Sequence, residues 1–239
     1  MALYATWNPS DKDADVTLSN GNLTAHNAAG GTVRATIGVS SGKWYWEVNI
    51  DDASGGVLLG VANGTAALGD FVGSDANGWG YYSLDGHKFN NGADAAYGAT
   101  YTTNAVIGVK LDMDSGTIEF LKNNISQGTA YTGLTGTLYP AWGPAGGSSP
   151  TAPNGTANFG ATAFVYSVPS GYNAGVYDPS QTLVTGVAGT SGRGAAAPSS
   201  SRSSTGNGAS SALGVVALAV TVALSGLSGT GSVDRKSVV

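Results

Sequence analysis

Asp112, Asp114 and Glu119, with Gly116 between them, are the carboxylates whose spacing comes nearest to chemistry. They imitate part of a calcium loop, but the spacing breaks the full pattern of alternating oxygen ligands closed by a distal glutamate. Asp114-Ser115-Gly116 reads instead as the tight turn of a hairpin. As an acid–base pair the carboxylates fare no better, because nothing around them suggests a cleft. His26 and His87 are the only histidines, far apart in sequence, and neither has the further ligands a metal site needs. They read as surface or turn histidines. With no cysteine, thiol catalysis, thiolate metal sites and disulfides are excluded. The glycine-rich run Gly143–Gly147 is followed by neither a Gly-Lys-Ser/Thr signature nor a helix, so it is a loop rather than a phosphate cradle. The expectation is a protein without catalytic residues, metal or cofactor.

The elements that would position any site read as short strands. Trp44, Trp46, Val48 and Ile50 alternate with Tyr45, Glu47 and Asn49, giving one face too apolar for water. A second sheet must cover it. Val57–Ala62, Gly78–Leu84, Ala105–Met113 and Thr117–Lys122 are further strands. Within the third of these, Val106, Gly108, Lys110 and Asp112 alternate with Ile107, Val109, Leu111 and Met113, which suits one buried and one wet face. Trp7, beside Pro9, is expected to pin the N-terminal segment onto the sandwich. Glycine at 38 of 239 residues and charge at 10% fit many strands joined by turns, and no amphipathic helix of ordinary length is apparent. The fold class is all-β, a two-sheet antiparallel sandwich.

Charge narrows the partners. The chain carries a net charge of −5, and residues 1–172 hold six Lys/Arg against thirteen Asp/Glu. An acidic globular part argues against nucleic acid, since nothing there would neutralise phosphates. The N-terminus lacks the basic and apolar regions of a signal peptide, so a cytoplasmic or virion-associated location is expected ahead of secretion. Residues 173–211 read as a flexible Gly/Ala/Ser-rich linker and 212–228 as a short apolar segment. Its core, Ala212–Leu224, falls short of the roughly 20 residues a membrane span needs, so membrane contact ranks below a low-complexity extension. Residues 229–239 read as an artefactual or truncated end, because Asp234-Arg-Lys-Ser-Val-Val239 looks foreign to the rest.

Taken in order, the runs resemble a known family. Thr6-Trp-Asn-Pro, Leu18-Ser-Asn-Gly-Asn-Leu-Thr24, Gly42-Lys-Trp-Tyr-Trp-Glu-Val48 and Leu59-Gly-Val-Ala62 look like the opening of a SPRY (B30.2-type) domain. Gly78-Trp-Gly-Tyr-Tyr82, Val106-Ile-Gly-Val-Lys-Leu-Asp112, Thr117-Ile-Glu-Phe-Leu-Lys-Asn123, Leu138-Tyr-Pro-Ala141, Asn158-Phe-Gly160 and Val168-Pro-Ser-Gly171 follow in the family's order. The resemblance covers residues 3–172 and implies a bent, concanavalin-like sandwich that binds peptides or folded proteins through loops at one rim, without catalysis. The glycine-rich style is most similar to viral, phage and protist versions. Two long loops, Asn63–Asn77 and Gly143–Gly155, are where binding is expected. The candidate contacts are Asn63, Leu68, Phe71, Asp75, Trp142 and Asn154, with a protein or peptide as partner. The alternative is a glycan-binding or structural surface protein, its exposed aromatics stacking on sugar rings.

Overall fold

The computed structural model describes residues 2–27, 29–145 and 153–182. Most of the expected linker, the apolar segment 212–228 and the end 229–239 lie outside the described residues, as do residues 146–152 of the second long loop. Every regular element among the described residues is a strand. No helix there is long and apolar enough to cross a membrane.

In chain order the strands are β1 (Ala2–Tyr4), β2 (Trp7–Lys12), β3 (Thr17–Ser19), β4 (Thr24–His26), β5 (Val33–Ala35) and β6 (Lys43–Asp52). There follow β7 (Val57–Asn63), β8 (Gly78–Tyr82), β9 (His87–Asn90), β10 (Ala93–Ala96), β11 (Val106–Asp112) and β12 (Thr117–Lys122). The last are β13 (Ile125–Tyr131), β14 (Leu138–Pro144), β15 (Asn154–Asn158), β16 (Asn173–Ala174) and β17 (Tyr177–Thr182). One sheet has the order β10-β9-β8-β7-β14-β5-β2, and the other β13-β12-β11-β6-β15-β4-β3 with β16 added parallel to β6. All the other pairings are antiparallel, and β1 pairs with β17 in a separate two-stranded ribbon.

The core forms where the two inner faces meet. Trp44, Trp46, Val48 and Ile50 of β6 are buried as their alternation demands, packed in one cluster with Val57, Leu59 and Val61 of β7 and Trp142 of β14. Trp7 is buried edge-to-face on Phe159, with ring centroids 5.0 Å apart. Asp114-Ser115-Gly116 does turn β11 into β12, with Gly116 at φ 65° and the Asp112 carboxylate accepting the Asp114 and Ser115 N–H groups.

The opposite face of β6 is covered as well, and so is most of the face expected to be wet on β11. Tyr45 and Glu47, on the outer face of β6, are as buried as the tryptophans, and Gly108 and Asp112 of β11 are buried too. The cover is the chain between β15 and β16, which crosses this face as a strap. Phe164 packs edge-to-face on Tyr45, and the Val165 and Tyr166 N–H groups donate to Glu47 at 2.7 and 2.9 Å. The Tyr45 hydroxyl donates to the same carboxylate at 2.8 Å, so Glu47, only 2% exposed, is satisfied by three neutral donors. Burial and the adjacent Glu47 charge push the Tyr45 hydroxyl far above its usual range. Gly108 is required where it stands, since a Cβ there would press to 2.9 Å on the Tyr45 ring. The described residues form one compact unit that runs past the boundary expected at Tyr172, because β17 closes on β1.

Candidate functional site

The loop between β7 and β8 folds back over the outer face of its own sheet. Its ends are tied by Asn63 and Asn77: the Asn63 N–H donates to the Asn77 carbonyl, and the Asn63 side-chain amide to that of Asn77, both at 2.9 Å. Asn63 Oδ1 also accepts from the Thr65 N–H and hydroxyl. Asp75 spans the loop, accepting the Ala67 and Asn77 N–H groups at 2.9 and 2.8 Å. These two candidate contacts therefore spend their polar atoms on the loop itself. Phe71 turns inward, edge-to-face on Phe89 at 5.5 Å, in a small second core with Val72, Leu58, Ala62 and Ala141. Glycine makes this close seating possible, since a Cβ on Gly80 would collide with the Val72 carbonyl.

Two residues of the preceding strand segment hold the tip. The Thr32 N–H donates to the Leu68 carbonyl at 2.7 Å and its hydroxyl to the Asp70 carbonyl at 2.6 Å. Arg34, 5% exposed, makes a forked pair with Asp11 at 2.8 and 2.7 Å, and its Nη1 donates to the carbonyls of Asn63 and Ala66 at 2.7 and 3.1 Å. Sequence reasoning missed both; the only signal was a lone arginine inside the otherwise uncharged run Thr32–Ala35. The result is a fixed tip that presents Ala67, half-buried Leu68, Gly69 and Asp70 outward, with Asp13 beside Gly69. The second long loop begins alongside, for a Cβ on Gly143 would strike Gly31 and crowd Thr32 Oγ1 at 3.1 Å. Its far end is elsewhere: Asn154 opens β15 in the other sheet, half-buried between His26 and Asp52.

Trp142 departs from the sequence expectation. It sits in β14 opposite Leu59 and Val33, fully buried, with its indole Nε1 unpaired and turned toward Gly155. Alternation along β14 points even-numbered residues into the sandwich, so Trp142 is core and only its neighbours Ala141 and Gly143 face outward.

The remaining sequence candidates are structural. Burial works against the Asp112 charge, but the Lys43 ammonium at 2.9 Å and the turn N–H groups hold its carboxyl below the usual range. Glu119 is likewise desolvated yet held low by Lys110 at 2.6 Å and the Ser126 hydroxyl. Among the described residues no three His, Cys, Asp or Glu side chains are grouped to hold a metal. Gly38-Val-Ser-Ser-Gly42 has the spacing of a nucleophile elbow but joins β5 to β6 and leads into no helix. Both histidines stand on other strands, His26 on β4 and His87 on β9, where it bonds Asp94.

Two clefts open beside this connection, of about 510 and 310 Å³, sharing Ile37, Gly38 and Asp178. The larger is lined by Tyr4, Tyr139, Thr6 and Thr36, the smaller by Trp44, Tyr177, Ser40 and Ser41.

A protein-family model of the SPRY domain matches residues 43–156, the span from the first residue of β6 into β15. Residues 43–156 are a SPRY domain. The chain is 33% identical over 175 residues to Ran-binding protein 9 of Xenopus tropicalis, a match covering 68% of this chain and 31% of that protein. It is 34% identical over 153 residues to human Ran-binding protein 9, covering 59% and 21% respectively. With F-box/SPRY domain-containing protein 1 of Drosophila persimilis it shares 32% over 150 residues, 56% of this chain and 58% of that one. It thus spans less than a third of the Ran-binding proteins it matches. These relatives are animal proteins and lend no support to the expected viral, phage or protist style. The SPRY domain of human HERC1 superposes with a TM-score of 0.55 at 23% identity, covering 63% of this chain and 96% of that one. Stonustoxin superposes at 0.53 and 22%, covering 65% and 27%. Both share the fold.

Proposed function

We propose that this chain is a non-catalytic interaction module that takes a peptide or protein partner on the rim formed by Leu68–Asp70 and the neighbouring start of the second long loop. The observation that carries the reading is the anchoring of that tip. Thr32 and Arg34 hold its backbone while Leu68, Gly69 and Asp70 stay outward, a rigid loop on a rigid scaffold that loses little entropy on binding. Asp13 and Asp70 give the rim negative charge, which favours a partner segment with an apolar anchor and basic flanks. The Ran-binding proteins it resembles are named for a protein partner, in keeping with this class.

Affinity capture from the native source with the wild-type chain, followed by mass spectrometry, identifies the partner. Capture is then repeated with Leu68→Asp and with Asp70→Lys. Both variants should fold normally and lose the partner; undiminished capture by both removes the rim from consideration.

A second reading rests on the paired clefts, whose aromatic rings and hydroxyls suit a saccharide. A glycan array blank across neutral sugar classes, or a hit unaffected by Tyr139→Ala, discards it.

A further inference from the structure

Each sheet of a sandwich has two edges, and an edge strand offers unpaired backbone groups to any passing strand unless something blunts it. Among the described residues, three of the four edges of the two large sheets are blunted. β2 carries Pro9 and an irregular register with β5. β3 is three residues long. β13 is broken by two register shifts and Gly128 at φ 80°, and its outward carbonyls are occupied by the chain itself: the Tyr97 hydroxyl donates to Gly128 at 2.6 Å and Lys88 Nζ to Ala130 at 2.5 Å.

β10 is left open. Its sequence, Ala-Asp-Ala-Ala, has no proline or lysine, and all four residues are exposed. The register with β9 is regular throughout, and the two-residue turn Asn91-Gly92, both at positive φ (56° and 69°), fixes which groups point where. In such a hairpin the pairs Asn90–Ala93 and Lys88–Ala95 exchange hydrogen bonds, while the N–H and C=O of Asp94 and Ala96 point away from β9. The strand is also held in place. The Asn91 and Gly92 N–H groups donate to the Asp75 and Gly73 carbonyls at 2.9 Å each, and Asp94 is bonded to His87 across the hairpin. Small alanine side chains leave the outward backbone uncovered.

We propose that β10 is a strand-addition site for an extended basic segment of a partner protein, which pairs antiparallel with Asp94–Ala96. A second copy of this chain is the weaker occupant: an edge this short buries far less than the roughly 1,200 Å² of a stable dimer, and two heads of net charge −7 over residues 1–172 repel. Charge picks the basic segment, since Asp94 on this hairpin and Asp85 in the turn that leads into β9 have side chains 52% and 43% exposed. This surface is separate from the Leu68–Asp70 rim and does not depend on it.

The test follows backbone amide exchange by nuclear magnetic resonance in the full chain. The probe is the capped peptide Lys-Val-Lys-Val-Lys at millimolar concentration. Asp94 and Ala96 should gain about fivefold protection or more while Ala93 and Ala95 keep theirs. Ala96→Pro, which deletes an outward N–H and no ladder bond, should abolish the gain. Asp94→Lys should keep the fold and shift preference to Glu-Val-Glu-Val-Glu. Unchanged exchange at Asp94 and Ala96, equal binding of both peptides by the wild type, or loss of the effect in Leu68→Asp overturns the proposal. So does protection that rises with protein concentration in the absence of peptide, which marks self-pairing.

Discussion

Replacing Arg34 by methionine is the sharpest probe of how the rim is built. Methionine keeps the apolar stem and removes the guanidinium, so packing changes little while four hydrogen bonds go. Two of these pair with Asp11 and two with the carbonyls of Asn63 and Ala66. Breaking one side of a buried ion pair costs about 3–5 kcal/mol. The Asp11 side chain is 28% exposed and regains some water, which lowers the figure to about 2–4 kcal/mol. For a unit of this size that corresponds to a fall in Tm of roughly 5–15 °C. The second effect is local. The Thr32 N–H, bonded to the Leu68 carbonyl, should exchange faster than the global unfolding rate allows, because the tip lifts before the sandwich opens. Urea unfolding followed by tryptophan fluorescence gives the first quantity and amide exchange the second. Adding Asp11→Asn should recover part of the loss, with a coupling of about 1–3 kcal/mol. A loss under about 1 kcal/mol, or a Thr32 amide that exchanges only with global unfolding, refutes the anchoring on which the rim depends.

Further expectations concern the core and pH. Trp142→Ala should cost about 3–5 kcal/mol as a cavity, with partner capture falling only in proportion to folded protein; capture lost at full stability would return Trp142 to the interface. Acid should destabilise the fold as pH falls through the lowered pKa values of Asp112 and Glu119, whose stabilisation is complete only above the ordinary carboxylate range. Lys110→Met should shrink the Glu119 part of that acid limb in pH-dependent urea titrations, and an identical limb would contradict the assignment. At the alkaline end burial lifts Tyr81 to about 12 and Tyr97, Tyr101 and Tyr131 upward, so their contribution holds below about pH 10 and disappears as pH rises through the folded values. Ultraviolet titration should show these phenols ionising together with unfolding; independent ionisation of all tyrosines near pH 10 would count against their burial.

The sandwich was legible because its signals are local. Alternation across Trp44–Ile50 and the turn at Asp114–Gly116 need only neighbouring residues to be read. What was misread depends on contacts from far along the chain. Tyr45, Glu47 and Gly108 look like a solvent face until Val165 and Tyr166 arrive from more than a hundred residues away. Trp142 and Phe71 were judged by their nearness to loops, whereas strand parity and the Phe89 ring decide where they point. Arg34 and Thr32 were invisible for a related reason: their partners are backbone carbonyls, which carry no residue signature. The SPRY resemblance was carried by motif order, and it identified the fold without locating the residues that hold the rim.

The ribbon of β1 and β17 has a consequence for how such a unit travels between proteins. Leu3 lies opposite Asp178 and Tyr4 opposite Tyr177, so entry and exit of the folded unit are a strand's width apart. A sandwich whose two ends emerge side by side can be spliced into a surface turn of a host without stretching it, because the host's loop closure is already made. It can equally be permuted by joining those ends and opening the chain at another turn. The relatives that carry this domain as a minor part of a longer chain are what that geometry permits.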